Sequence, residues 1–193
     1  MKKPTHWTTE EREELFTHPL LSASIRRLRD PEANDRSRQA LVLESRDWVN
    51  VIALRQGGEP ADTSVLLVRQ WRFGVESETL EIPGGVVDAG EKPIDAARRE
   101  LLEETGYRCG QLEPLGAVEP NPALFDNLCH VFLATELERH GEPSGDGEEE
   151  IEVLEQPLAA VLADIRAGKI RHALVVAAFQ LFERHRESTQ PSA

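Results

Sequence analysis

The chain is poor in cysteine, in aromatic side chains, in positive charge and in long apolar runs, and each shortage removes a class of protein. Its 2 cysteines among 193 residues, Cys109 and Cys129, are too few for a disulfide framework. They do not form a CxxC pair, which argues against a structural zinc centre and leaves both to be read as small buried hydrophobes. The longest wholly apolar run, residues 173–179, is too short to span a bilayer. The opening residues Met1-Lys2-Lys3-Pro4-Thr5-His6 lack the apolar stretch of a secretory signal. A soluble cytoplasmic protein with no membrane partner is therefore expected. With 22 Lys and Arg against 35 Asp and Glu, the net charge is -13, which makes the chain a poor candidate for sequence-independent nucleic-acid binding, a function that needs a basic surface. An anionic ligand is still compatible, because bound divalent cations invert the local field. Aromatic residues make up 5% of the chain, so few side chains can stack on a base: Trp7, Trp48, Trp71 and Phe125 are the candidates.

What is present suits a globular α/β chain without internal repeats. Residues 1–38 are polar and read as an N-terminal arm or edge element; residues 39–187 read as the main domain and 188–193 as a frayed tail. Short β-type runs occupy residues 39–44, 48–55, 64–71, 79–82, 111–118, 128–135 and, weakly, 149–154. The run Val65-Leu66-Leu67-Val68 is apolar enough for a strand buried on both faces. A helix follows Pro93: Ile94, Ala97 and Leu101 form one apolar stripe, Asp95 suits the positive end of the dipole, and Gly106 suits the stop. Two more helices are expected over 157–167 and 172–186, broken at Gly168. This order gives mixed layers rather than a doubly wound parallel sheet, since βαβ crossovers are too few.

Residues 85–107, GVVDAGEKPIDAARRELLEETGY, carry the chemistry. Glu100 and Glu104 stand at i, i+4 and share one helical face, with Glu103 on its border. Three crowded carboxylates repel one another and raise their own pKa values unless a hard cation lies between them. Oxygen-only ligands select Mg²⁺ or Mn²⁺ over zinc. Arg99, i, i+4 from Glu103, is placed to orient it, and Gly84-Gly85 lets backbone approach the site. A solvated acidic helix face is the plain alternative for any single Glu pair.

The spacing of Gly85, Glu91, Arg99, Glu100, Glu103, Glu104 and Gly106 resembles the Nudix box, G-x5-E-x7-R-E-U-x-E-E-x-G-U, at all seven fixed positions. Chance gives such a match on the order of 10⁻⁸ per start position at ~7% usage per residue. Tyr107 departs from the usual aliphatic and is expected to fill the same apolar slot. The resemblance implies an α/β/α sandwich with a mixed β-sheet, preceded by an N-terminal β or arm segment. It implies that Glu100, Glu103 and Glu104 bind Mg²⁺ (or Mn²⁺), Glu104 being most critical, with the Gly84 carbonyl as a further ligand. Gly85, Glu91, Arg99 and Gly106 are then structural supports. The implied reaction is attack of water on a diphosphate phosphorus in a nucleoside diphosphate linked to another moiety.

Outside the box, Val68-Arg69-Gln70-Trp71-Arg72, then Leu80-Glu81-Ile82-Pro83-Gly84-Gly85, looks like the ADP-ribose and nucleoside-diphosphate-sugar pyrophosphatase branch, as does Pro122, fifteen residues beyond the box. Arg69 or Arg72 would pair with a phosphate, or form a plain salt bridge; Glu81 would hold a metal or a ribose hydroxyl, or be an edge-strand charge. Trp48 is the choice for base stacking. On the acidic loop, Glu149, then Glu148 or Glu150, would position or deprotonate the attacking water. His130 reads as a satisfied core histidine, and His140 with His172 gives no metal spacing. The branch implies a homodimer joined through the N-terminal segment. GDP-mannose, NADH or a dinucleoside polyphosphate is the alternative substrate, a coenzyme A derivative being less attractive. A non-catalytic ADP-ribose-binding sensor is the alternative class, disfavoured by a box that keeps every carboxylate.

Overall fold

A run of charged residues, rather than apolar alternation, opens the folded chain. The structure is a computed structural model that describes residues 5–33, 36–57, 63–144 and 150–189. It divides into two compact units, Met1–Arg46 with Glu119–Asn127, and Asp47–Val118 with Leu128–Ala193. In the first unit, Thr8–Thr17 (β1), Leu21–Arg29 (β2) and Ser37–Ser45 (β3) form an antiparallel sheet in that order. Pro19 and Leu20 make the first turn, closed by reciprocal bonds of 2.9 and 3.2 Å between His18 and Leu21. Every residue of β1 is exposed, so unlike charges across the strands take the place of a core. Arg27 meets Glu11 at 2.8 Å. Arg12 and Arg26 lie directly opposite, and Glu44 accepts from both, relieving their repulsion. The 119–127 segment belongs here, with the Leu43 N–H donating to the Leu124 carbonyl at 2.8 Å. The boundary expected at residue 38 falls inside β3, whose apolar run pairs with β2; the division lies between Arg46 and Asp47.

The second unit holds Trp48–Arg55 (β4), Ser64–Arg72 (β5), Ser77–Glu81 (β6), Gly84–Val86 (β7), Pro93–Thr105 (α1), Tyr107–Val118 (β8), Cys129–Arg139 (β9), Ile151–Pro157 (β10), Leu158–Arg166 (α2) and Ala173–Thr189 (α3). Among the described residues the sheet has seven strands in the order β10-β5-β4-β9-β8, with β6 added to β5 and β7 to β4. β4 and β9 run parallel and the other pairs antiparallel, so the sheet is mixed.

Strand periodicity sorts the core into two layers. Val49, Val51 and Ala53 of β4, with Leu66 of β5 and Phe132 and Ala134 of β9, pack with Ala96, Ala97 and Leu101 of α1. The alternate residues Ile52, Leu54, Val65, Leu67 and Val131 pack with Val161 of α2 and Val175, Phe179 and Phe182 of α3. β4 and β5 are thus covered on both faces, which is why their sequences are nearly continuous apolar runs. The expected α/β/α layering is present. The helix expected to end at Arg186 continues through Thr189. Among the described residues no helix is long and apolar enough to cross a membrane.

Candidate active site

The helix α1 forms where its sequence signals place it. Pro93 occupies the first turn with Asp95, and Gly106 caps the end at φ 74, its N–H donating to the Leu102 carbonyl at 2.8 Å. A side chain at residue 106 would also meet the Gly141 carbonyl at 2.2 Å, so close approach and handedness both require glycine there. Ala96, Ala97 and Leu101 are buried in the core; of the three glutamates on the flanking face, Glu104 is buried and Glu100 and Glu103 are partly exposed. Tyr107, just after the helix, packs partly buried against the same apolar cluster.

The segment from Pro83 to Asp88 lies along the start of β4 and meets these carboxylates. The Gly84 N–H donates to Glu104 Oε2 at 2.9 Å. At Gly85 an added Cβ would stand 2.4 Å from Glu100 Oε1. Gly85 therefore lets the backbone approach the Glu100 carboxylate, while Gly84 lets it approach the Val49 carbonyl of β4. Gly85→Ala is expected to displace the Glu100 carboxylate and weaken Mn²⁺ binding about tenfold, measured by titration of the ion followed by electron paramagnetic resonance. Wild-type affinity in that variant would mean that Glu100 has no part in holding a cation.

Arg99 is the hub. Its Nε and Nη2 donate to the two oxygens of Glu91 at 3.1 and 2.9 Å, and Nη2 also donates to the Val86 carbonyl at 3.0 Å. Nη1 donates to Glu100 at 2.8 Å and to Glu103 at 3.1 Å. The sequence reading paired Arg99 with Glu103 and grouped it with Glu91 as a support; Glu100 and the Val86 carbonyl are additions. The Glu91 bonds hold the guanidinium above its ordinary pKa, burial opposing them, and the same bonds hold the Glu91 carboxyl below its ordinary value. Glu91 further accepts from the Asp88 N–H at 3.0 Å, closing the loop that leads into the helix. Because Arg99 draws Glu100 and Glu103 while Gly84 draws Glu104, the described residues contain no ready cage of three His, Cys, Asp or Glu side chains. The donors at the site are carboxylate and carbonyl oxygens, the set that suits a hard divalent cation.

Within the β5–β6 hairpin the Arg72 side chain reaches Glu81 in a two-pronged pair of 2.8 Å bonds, and the Thr79 hydroxyl donates to the same carboxylate at 2.6 Å. Burial alone would raise the Glu81 pKa; the Arg72 fork, the Thr79 bond and His172, 3.7 Å away, outweigh it and leave the carboxyl below its ordinary value. Arg69 pairs with Glu152 across β5 and β10 at 2.8 Å, at the surface. Trp48 opens β4, opposite Val86 on one side and Cys129 on the other. Pro122 lies on the segment that packs with the first unit. Glu148 and Glu149 lie outside the described residues; Glu150 is exposed just before β10. His130 is half-buried, with Nε2 2.8 Å from the Asp47 carboxylate, a pairing that residues 83 positions apart do not advertise in sequence.

The NUDIX domain model matches residues 45–179. The chain is 29% identical over 176 residues to the ADP-ribose pyrophosphatase of Bacillus subtilis (strain 168), covering 91% of each. It is 28% identical, with the same coverage, to the methanol dehydrogenase activator of Bacillus methanolicus. A GDP-mannose pyrophosphatase of Citrobacter koseri is 33% identical over 144 residues, 72% of this chain and 70% of that one. The fold matches the crystal structure of an ADP compounds hydrolase with a TM-score of 0.80 at 22% identity, covering 97% of this chain and 98% of that one.

Proposed function

The chain belongs to the NUDIX domain family, and from that premise we propose that it is a divalent-metal-dependent pyrophosphohydrolase of ADP-ribose or a related nucleoside diphosphate sugar. The observation that carries this reading is the meeting of α1 with the Gly84–Val86 segment. There the Glu104 carboxylate takes the Gly84 N–H, Glu100 faces Gly85, and Arg99 holds Glu91, Glu100, Glu103 and the Val86 carbonyl together. A structural acidic face would have no need of such close backbone approach.

Glu100, Glu103, Glu104 and the Gly84 carbonyl would hold Mg²⁺, or Mn²⁺. Such an ion, when bound, supplies positive charge against the diphosphate and makes water a better nucleophile at neutral pH. The protein's own residues do the rest. Gly84 and Gly85 keep the floor of the site open, and Arg99 fixes the rotamers of two of the carboxylates through Nη1. Attack of water on one phosphorus breaks its bond to the bridging oxygen, which leaves with the other half of the substrate. Glu149, or Glu148 or Glu150, positions or deprotonates that water. Arg69 is the stronger candidate for a phosphate contact, because a surface ion pair such as its bond to Glu152 is worth only about 0.2–1 kcal/mol and is readily exchanged. The Arg72 fork is committed to a buried carboxylate, so Arg72 and Glu81 act together as a brace of the β5–β6 hairpin. Trp48 offers the base its ring.

The homodimer reading draws on the first unit, which leaves Leu15, Phe16, Leu20 and Leu41 exposed. Cys109 and Cys129 are free thiols, which suits a reducing cytoplasm.

The test is a panel of ADP-ribose, GDP-mannose, NADH and a dinucleoside polyphosphate incubated with the protein and Mg²⁺, scored by product identity. AMP and ribose 5-phosphate are expected from ADP-ribose, with loss of product when the ion is chelated. GMP and mannose 1-phosphate as the dominant products would move the substrate to GDP-mannose, the reading favoured by the Citrobacter relative's name. Tight ADP-ribose binding without cleavage in Mg²⁺ or Mn²⁺ would make the chain a sensor and refute the enzyme.

A further inference from the structure

The Gly84–Val87 segment has little side-chain mass to lock it, so its place is set by rungs to β4. Asn50 pairs with Gly84, Val49 with Gly85 and Trp48 with Val86. One rung lies beyond the strand: the Val87 N–H donates to the Asp47 carbonyl at 2.8 Å. Asp47 is itself fixed from the opposite side. Its Oδ1 accepts the Leu128 N–H at 2.9 Å, and its Oδ2 meets His130 Nε2 at 2.8 Å. The Trp48 N–H donates to the Leu128 carbonyl at 2.8 Å, so the start of β9 grips two consecutive residues at the start of β4. The carbonyl of the preceding residue, Val86, belongs to the same peptide group and accepts from Arg99 at 3.0 Å, and Arg99 orients Glu100 and Glu103. Hydrogen bonds linked through the Asp47 residue and the Val86–Val87 peptide thus lead from the His130 ring to the carboxylates of α1.

We propose that Asp47 and His130 are positioning residues for the catalytic segment: the His130 ring and the Leu128 N–H clamp the Asp47 carboxylate so that its backbone carbonyl holds Val87, and through Val86 and Arg99 the acidic face of α1. The His130 ring, oriented by one carboxylate oxygen while a backbone N–H takes the other, is more than a core histidine. The role concerns geometry rather than substrate contact, so it predicts a loss in turnover with substrate affinity kept. The kinetic half of this inference rests on the hydrolase reading; the exchange half does not.

Asp47→Ala removes both side-chain bonds and leaves the backbone carbonyl. Exchange of the Val87 amide is expected to speed up about tenfold, and kcat for ADP-ribose to fall about tenfold with KM unchanged, the usual cost of losing a group that orients an active-site ligand. Asp47→Asn keeps an acceptor for the Leu128 N–H and is expected to restore both quantities to within about threefold of wild type. Should Asp47→Ala fail to fold, His130→Ala, which keeps the Leu128 bond, carries the same two readouts. A lowered Tm with Val87 exchange and kcat unchanged would reduce the pair to a structural clamp and overturn the proposal. A wild-type protein that cleaves no nucleotide, while Val87 exchange responds as expected, would sink the hydrolase reading and leave the positioning role standing.

Discussion

Glu104→Gln is expected to lower ADP-ribose hydrolysis in Mg²⁺ by about a hundredfold to a thousandfold while leaving the fold intact. Glu104 is buried, with 6% exposure, and its Oε2 accepts the Gly84 N–H at 2.9 Å. Glutamine has the same length and keeps an acceptor oxygen for that N–H, so the bond between α1 and the glycine segment survives. What disappears is a formal negative charge at the place where a cation must be held against a diphosphate. The expected signature is therefore a large loss of turnover and of Mn²⁺ affinity with a Tm close to wild type. Glu103→Gln is the comparison. That carboxylate is 42% exposed and bound to Arg99, so the same change should cost about tenfold. Turnover of Glu104→Gln within threefold of wild type would remove the metal role from the most enclosed carboxylate of the site, and with it the mechanism.

The elements that the sequence announces are those whose stability comes from apolar periodicity or local stereochemistry. β4 runs from Trp48 to Arg55 as its apolar run does, and α1 lies between the Pro93 and Gly106 signals. β1 and β2 give no such signal, because β1 is exposed along its whole length and is held by pairings such as Glu11 with Arg27 that appear only once the register is known. β7 was hidden for a different reason. Gly84 and Gly85 read as a turn, and their strand geometry is imposed by the neighbouring edge of β4. Within the site, the box residues separated by three or four positions were legible from helical geometry, Arg99 with Glu103 among them. Arg72 with Glu81 required the β5–β6 hairpin and the reach of a long side chain along it, and Asp47 with His130 required the parallel pairing of β4 and β9. Short-range chemistry was visible and long-range chemistry was not.

Arg99→Ala should give the largest loss of stability of any single change at the site. The guanidinium serves the two oxygens of Glu91, the carboxylates of Glu100 and Glu103 and the Val86 carbonyl, from a position 29% exposed. Its removal leaves Glu91 and Glu100, whose side chains are 18% and 13% exposed, as partly buried carboxylates without their cation. Breaking one partner out of a buried pair costs about 3 kcal/mol at the low end, which for a chain of this length lowers Tm by roughly 6–12 °C. Arg99→Lys should recover part of this, since one ammonium supplies the charge but cannot span four acceptors. The pH dependence gives an independent check with a definite sign. The Arg99 bonds lower the folded-state pKa of Glu91 below its unfolded value, so this contribution is present above the unfolded pKa and is lost as pH falls through the folded one. The Tm difference between wild type and Arg99→Ala should accordingly be widest near neutrality and shrink as pH drops below about 4, where the unfolded glutamate takes up its proton. A difference that stayed constant across that range would show Arg99 to stabilise the protein by packing its stem rather than by pairing these carboxylates. The electrostatic account of the hub would then fail even if the variant were unstable.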